Sequence, residues 1–540
     1  MSALTFSLLP TDLAQFAPRL GSISLHRRDG SFTPEIQTPG FLTTSSRGIV
    51  PHLSRDHVHG TQAIRWANIP FESYLERAPP VPTFQAGQNP LHTLLGYQKR
   101  HILSLSARDP FDSREMPANS KDYISAYCIR GVRKVTSADW KSYALSCKPD
   151  LVTALSDVPY TNQPYSQKRT AKSIERSAAW LADFLRSSPA EDTQSFNVLV
   201  NMVGGIDPRA RATFAEKLIE PLHGKEQEQV APLRTLDEGV IGYIVDLLPM
   251  RTYLNLERRG PVSHYVSDKN DTEVYTDLAK ASLTPLPKGK VRIVYSTTTP
   301  HEILRFIRNV GIDVFDSNWA QRAANIGVAL DFRFPVPSKE QFSSVPGEPF
   351  LPRLRQNGKY DLGHNLFSTD YAHAHTRLAA TFLDATSAAG IQDAQVCPCA
   401  ACSPVSSSTY LAHSAADVEY VPTNETQRPF TRSYLHHLLH THEMSSHALL
   451  VMHNLSVLDA FFAGIRKTLH ESQETFEKEA EIFVGTYDES TILFDEAKMQ
   501  WAKVESERGK GRLAREKQKE SGSVDAVPLD IIAPVVGNVV

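Results

Sequence analysis

The stretch VRIVYSTTTPHEILRFIRNVGIDVFD, residues 291–316, holds one complete strand–helix–strand unit. Val291–Tyr295 is an apolar run of strand length. Thr299-Pro300 opens a helix over His301–Asn309, because threonine caps the first free N–H groups and proline lacks one that would be orphaned. Asp313–Asp316 then reads as a second strand that ends on a carboxylate. Apolar strands alternating with helices indicate a parallel sheet covered on both faces.

Working outward, the same pattern fills Leu151–Leu330. Leu151–Leu155 is a buried strand and Ser156–Gln167 a polar loop. Ala171–Arg186 is a helix with Ile174, Ala178, Leu181 and Leu185 on one face. Asn197–Val203 is a strand running into Gly204-Gly205, a tight turn or a close approach to a ligand, and Ile241–Leu248 is another. This many units leave an open doubly wound sheet or a closed eight-stranded barrel. Periodicity does not separate the two.

The 540 residues suggest two to four domains at about 150 each. With 41% hydrophobic and 22% charged residues, whole-chain disorder is excluded. A net charge of −3 excludes an all-over cationic surface, so nucleic-acid contact needs a local patch or a partner. The first twenty residues, with Asp12 among them, hold no apolar run of signal-peptide length. No run of about 18 apolar residues is evident, so no membrane span is expected. Five cysteines argue against a secreted disulfide framework, and the expectation is a reducing, cytosolic setting.

Phe332–Gly358 and Ser403–Phe430 read as insertions, and beyond Glu471 the chain turns charged with a helical pattern through Trp501. Arg508–Lys519 reads as a solvated helix face and Val524–Val540 as a loosely docked tail. Gly509-x-Gly511-x-x-Ala514 follows no strand and is no dinucleotide site. The sequons at Asn270, Asn424 and Asn454 carry no meaning in such a setting.

Cys397, Cys399 and Cys402 are close enough to ligate one Zn²⁺, which takes four tetrahedral nitrogen or sulfur ligands. Cys128 and Cys147 read as small core residues. A downstream histidine should be the fourth ligand: His413, His436, His437, His440, His442, His447 and His453 all qualify. His442-Glu443 followed by His447 has one residue too many for a zincin, and a closed site of three thiolates and an imidazole is structural. Asp316 is a candidate nucleophile or base, since barrel enzymes place chemistry at the C-terminal ends of strands. An N-cap or ion-pair role is the plainer alternative.

Cys397-x-Cys399-x-x-Cys402, Ser433-Tyr434-Leu435-His436-His437-Leu438 and Met452-His453-Asn454-Leu455 together resemble the zinc subdomain of tRNA-guanine transglycosylases. Thr38-Pro39-Gly40-Phe41, Gly48-x-Val50-Pro51-His52-Leu53, Asp150–Tyr160, Ser173-x-Glu175-Arg176-Ser177 and Gly311-x-Asp313-x-Phe315-Asp316 are similar to other parts of the family, from about residue 25 to about 470. The resemblance implies a (β/α)₈ TIM-like barrel over 1–390, with insertions near 80–120, 206–238 and 332–358. It implies a zinc-binding subdomain with closing helices over 391–470, and leaves a charged C-terminal extension over 471–540. It selects His453 as the fourth ligand of one structural Zn²⁺.

In this family an aspartate attacks the ribose C1′ of a flipped-out guanosine, and the incoming deazaguanine displaces the covalent ribosyl-enzyme. Asp316 stands at the nucleophile position. The partner aspartate's Asp-Ser-Gly-Gly stretch is missing, since residues 81–130 contain no Gly-Gly. The purine-recognising acidic pair reads Ser156-Asp157, the base-contacting Gly-Gly-Leu reads Asp246-Leu247-Leu248, and the basic stretch after the nucleophile is only Ala320-Gln321-Arg322. The chain is therefore similar to the eukaryotic accessory, non-catalytic subunits of the family. Those subunits pair with a catalytic paralogue that exchanges guanine for queuine at wobble position 34 of tRNAs with GUN anticodons (Asp, Asn, His, Tyr). The resemblance also implies tRNA contact through the complex, and a cytoplasmic location with peripheral association at the mitochondrial outer membrane. It implies pairing through the zinc subdomain, along a helix Tyr434–Leu450 presenting Leu435, Leu438, Leu439, His442 and Met444. Two alternatives remain: an active transglycosylase using Asp316, and an unrelated zinc-stabilised barrel.

Overall fold

The computed structural model describes residues 3–9, 14–27, 34–159, 165–186, 196–257, 269–337, 351–381, 397–404 and 428–508. His413, most of Ser403–Phe430, the middle of Phe332–Gly358, the Gly509 stretch, the basic run past Arg508 and Val524–Val540 lie outside these residues.

An antiparallel sheet comes first: β1 (Ala3–Leu9), β2 (Leu20–His26) and β3 (Glu35–Thr38). Then follow β4 (Gly40–Thr44), α1 (Arg55–Gly60), β5 (Trp66–Pro70), α2 (Pro90–Leu95), β6 (Ile102–Ser106) and a hairpin of β7 (Tyr123–Cys128) and β8 (Gly131–Thr136). Next come α3 (Ser137–Cys147), β9 (Leu151–Thr153), α4 (Gln167–Leu185), β10 (Val198–Asn201), α5 (Pro208–Ile219), α6 (Gly224–Val230) and β11 (Val240–Asp246). The run ends with α7 (Leu248–Glu257), α8 (Lys269–Leu283), β12 (Val291–Tyr295), α9 (Pro300–Val310), β13 (Val314–Asp316) and α10 (Asn318–Asn325).

Strands β4, β5, β6 and β9 to β13 all pair in parallel, and β13 closes on β4 with Asp316 opposite Leu42. The open-sheet alternative falls: this is a closed eight-stranded barrel. Inward residues Leu42, Trp66, Ile102, Leu151, Leu199, Ile244, Ile293 and Val314 fill its interior, and Ile23, Leu25 and Ile36 of the first sheet pack on that same cluster. A second, larger cluster lies between strands and helices. Burial on both faces explains why the strands read as continuous apolar runs. Helix α9 begins as its residues dictate, with the Thr299 side chain accepting from Glu302 N and Pro300 at the first position; it ends on Gly311 at φ 67°.

After α10 come β14 (Val328–Leu330), its antiparallel partner β15 (Gly363–Asn365), α11 (Arg432–His440), α12 (Met444–Glu471), α13 (Gln473–Thr486) and α14 (Ile492–Arg508). Helix α12 returns to the barrel, where Phe462 stacks on Phe41 of β4 and Phe315 of β13, at 5.9 and 5.7 Å. Among the described residues α12 is the one helix long and apolar enough to cross a membrane, with a window of mean hydropathy 1.6. Most of that window is buried inside the protein, as expected of a core helix.

Several expectations need correction. The stretch near 80–120 contains β6, a barrel strand, and the one near 206–238 contains α5, which packs on α4 and α8. Beyond Glu471 the chain does not leave the core: α13 buries Phe476, Ala480 and Phe483, and its charges occupy the outer face. The Tyr434–Leu450 helix is two helices, broken at Thr441–Glu443 with His442 at φ 60°. Cys147 is a core residue, but Cys128 is only half-buried, on the hairpin.

Candidate metal centre and barrel mouth

The loop Cys397–Cys402 folds so that its three sulfurs converge on His453, one turn inside the most apolar part of α12. The Sγ atoms of Cys397, Cys399 and Cys402 lie 3.6, 3.4 and 3.6 Å from His453 Nδ1. All four donor atoms fall within 4.8 Å of one another and all four residues are buried. With Zn–S about 2.3 Å and Zn–N about 2.0 Å, a tetrahedral site needs S···N edges of about 3.5 Å. The donor set therefore fits one zinc-sized ion with thiolate preference. His453 Nε2 meets the Leu330 carbonyl of β14 at 2.8 Å, which fixes the tautomer and leaves Nδ1 for the metal.

Of the other described candidate histidines, His437 is exposed and the rest are engaged elsewhere. His436 and His440 bond the Leu366 and Phe367 carbonyls, His447 the Ala324 carbonyl, and His442 faces Glu505. Asn454, the residue of a sequon, is buried: it accepts from Leu330 N and donates to the Ala320 and Val328 carbonyls. Beside the centre, Asp331 accepts from His364 and from Thr381. Burial alone would raise its carboxyl, but those hydrogen bonds and the Arg432 charge hold it below its ordinary value.

At the C-terminal end of the barrel, Asp316 is fully buried. Its Oδ2 accepts from Ser296 N at 2.6 Å and its Oδ1 from Asn318 N at 2.7 Å. Asp246 lies across Ser296, whose Oγ is 3.5 Å from Asp246 Oδ1, and accepts from Leu248 N at 2.9 Å. Burial pushes both carboxyls up to about 7, and for Asp246 the Asp316 charge adds to the rise. Gln321 is bound to Thr44 and Ser317, leaving Arg322 exposed.

Asp157 is pinned. Arg169 grips both its oxygens at 2.8 Å, Arg176 adds a contact at 3.1 Å and Asn119 Nδ2 donates at 2.7 Å. Ser177 Oγ accepts the Asp157 N–H and Ser173 donates to its carbonyl, so the Ser-x-Glu-Arg-Ser motif of α4 holds this one residue. Between Asp157 and Asp246 the described residues leave a cavity of about 40 Å³, also lined by Asn201, Gly204 and Arg211. That is room for a few waters. Gly204-Gly205 is a tight turn: a Cβ on Gly204 would lie 2.6 Å from Arg211 N.

The model of the family described as queuine tRNA-ribosyltransferase matches residues 15–226 and 264–489. The chain belongs to this transglycosylase family. Among curated relatives, the queuine tRNA-ribosyltransferase accessory subunit 2 of Schizosaccharomyces pombe is 24% identical over 471 residues, covering 86% of this chain and 79% of the relative. Proteins of the same name from Drosophila erecta and Xenopus laevis are 25% and 24% identical, covering 84% of this chain and 86% and 94% of theirs. The resemblance named the same four residues, Cys397, Cys399, Cys402 and His453, that come together here as a group able to hold one metal ion. Two mouth carboxyls escaped the sequence because no motif carries them. Burial and the Asp109 and Asp112 charges push Glu72 up to about 8, and burial pushes Asp109 up to about 6.

Proposed function

We propose that this chain is the non-catalytic subunit of a queuine tRNA-ribosyltransferase heterodimer. It supports the catalytic paralogue in exchanging guanine for queuine at wobble position 34 of tRNAs with GUN anticodons (Asp, Asn, His, Tyr). The observation that carries this reading is the occupied purine side of the mouth. Asp157 spends its acceptors on two guanidinium groups and an amide, and the Asp246 side chain stands where a Gly-Gly-Leu would leave open backbone. A nucleophile can act only on a base held in line with it, and among the described residues Asp157 has spent the acceptors that would orient one. The names of the curated relatives support the same conclusion.

Cys397, Cys399, Cys402 and His453 hold one Zn²⁺ per chain, which supplies folding energy and no chemistry, because a closed four-ligand site has no open position. The zinc-binding unit with its closing helices is assigned to 391–470, of which 397–404 and 428–470 are described. The working location is the cytoplasm, with peripheral contact at the mitochondrial outer membrane. The test is guanine exchange into tRNA by this chain alone, by the catalytic paralogue alone and by both. Activity only with the paralogue, and co-elution of the two in gel filtration, is the expected result. Exchange by this chain alone would make Asp316 a working nucleophile.

A further inference from the structure

Two loops leave the C-terminal end of the barrel side by side. Segment 71–84 continues from β5, and the β7–β8 hairpin follows β6. The turn Glu72–Tyr74 packs on β7, which holds the two loops together. Between them lies a surface cavity of about 410 Å³, lined by Glu76, Arg77, Ala78, Pro79, Phe84 and Arg130. That volume falls within the range of small-ligand sites.

The lining side chains are unspent. Phe84 is 64% exposed and stacks on no other described ring. Arg77 and Arg130 are exposed, and neither guanidinium has a hydrogen bond or ion pair among the described residues. Their neighbours differ: Arg108 donates to Asn119 and to the Ser125 carbonyl, and Arg114 grips Asp112. Val81 on one loop and Ile129 on the other add exposed apolar surface. Apolar side chains gathered at a surface cavity mark an interaction site. The charges set the sign of its occupant, since two arginines stand against Glu76 alone in a chain of net charge −3. The occupant is anionic.

We propose that this cavity receives unpaired nucleotides of RNA, with Phe84 stacking one base and Arg77 and Arg130 taking the phosphates beside it. Every base has a π-face, so a free ring among basic side chains binds single strands with little sequence preference. A duplex keeps its bases stacked inside and would leave the ring idle. The identity of the RNA rests on the accessory-subunit reading. Pairing with the catalytic paralogue is expected along Tyr434–Leu450, so tRNA is the macromolecule left to meet this face. Each phosphate contact on a single strand changes the salt slope by about 0.7, so the paralogue still supplies most of the tRNA affinity.

The experiment uses zinc-loaded full-length chain and a fluorescent octauridylate carrying one photoreactive 5-iodouridine, in about 50 mM KCl. The expected result is a cross-link to the peptide that contains Phe84. Binding should weaken by about fivefold or more in Phe84→Ala and in the double variant Arg77→Glu with Arg130→Glu. Zinc content and melting temperature should not change, because all three side chains are exposed. Arg77→Lys with Arg130→Lys should keep most of the affinity, since a phosphate accepts either cation. Binding equal to wild type in both weakened variants would overturn the proposal, as would cross-links confined to other segments or no binding at all. A second arm adds the catalytic paralogue. Failure of the wild-type chain to co-elute with it counts against the accessory reading and leaves the octauridylate result to decide this one. Co-elution lost only in the variants, with octauridylate binding intact, would give the cavity to the protein partner and overturn the RNA proposal.

Discussion

Asp157 and Asp316 are both fully buried at the C-terminal ends of barrel strands, and they differ in what neutralises them. Asp157 faces two arginines, whereas the oxygens of Asp316 meet backbone N–H groups. Removing Asp157 strands two guanidinium groups, so Asp157→Ala is expected to lose about 3–5 kcal/mol in denaturant melts. Asp316→Ala in the heterodimer is expected to lower turnover by less than about tenfold, and a loss of about a thousandfold would make it a nucleophile. The buried pair also predicts a pH dependence. Both Asp246 and Asp316 titrate near 7 in the fold, against about 3.9 unfolded, so the native state binds more protons across that window. Their contribution to stability is present at low pH and falls as pH rises from about 4 to about 7. Relative to wild type, Asp246→Asn should therefore gain stability between about pH 5 and pH 8; an offset that does not change with pH would refute the assignment. At the metal centre, Cys402→Ser should lower zinc content and melt the loop locally, since site and fold form together. The three candidate thiol ligands could be read from spacing because thiols within a six-residue stretch close their own turn, whereas His453 followed only from the family resemblance. The fate of Asp157 could not, because Asn119, Arg169 and Arg176 reach it from 38, 12 and 19 residues away.

Whole strands were legible where both faces are apolar, as in β12 and β13, whose ends fall within a residue of the sequence expectation. β6 was missed because Ser104 and Ser106 interrupt its apolar run. Inside the barrel these hydroxyls are satisfied by Asn68, and Ser104 also by Trp66, so polarity there does not mean a surface loop. α13 was misplaced for the converse reason: its many glutamates lie outward while Phe476 and Phe483 insert among Phe332, Phe334 and Phe461. The apposition of α12 to the barrel has a sharper requirement. A Cβ on Gly464 would stand 1.7 Å from the Phe334 carbonyl oxygen and 2.6 Å from its carbon, both of them backbone atoms that cannot rotate away. Gly464→Ala gains helix propensity of about 1 kcal/mol, but must push α12 off that segment, an overpacking cost of about 1–3 kcal/mol or more. The net expectation is destabilisation. A melting temperature equal to or above wild type would show that the helix can shift freely.

At the scale of the molecule, the accessory reading needs a surface that meets the catalytic paralogue. The break at His442 sorts the residues expected there. Leu435, Leu438 and Leu439 turn inward, while Met444 is 82% and Tyr434 46% exposed, with Phe430 stacked on Tyr434 at 5.8 Å. The outward patch is thus Tyr434 and Met444, an aromatic and a thioether of the kind enriched at interfaces. Helix α14, beyond the residues matched by the family, lies beside this face. Gln500 bonds Asn365, Glu496 pairs with Arg353 and Arg355, and Glu505 reaches His442 at 3.4 Å. With a net charge of −3 this chain has little general attraction for phosphates, so tRNA affinity should come chiefly from the partner. The heterodimer should bind tRNA more tightly than this chain alone, with a salt slope close to that of the paralogue. Tyr434→Glu combined with Met444→Lys should abolish co-purification at about micromolar concentration, because two charges would be desolvated in the core of the patch. Zinc content should not change, since neither side chain touches the centre. Full heterodimer in that variant would move the interface elsewhere on the barrel. Loss of zinc along with the partner would instead show that α11 and the thiolate loop fold as one unit.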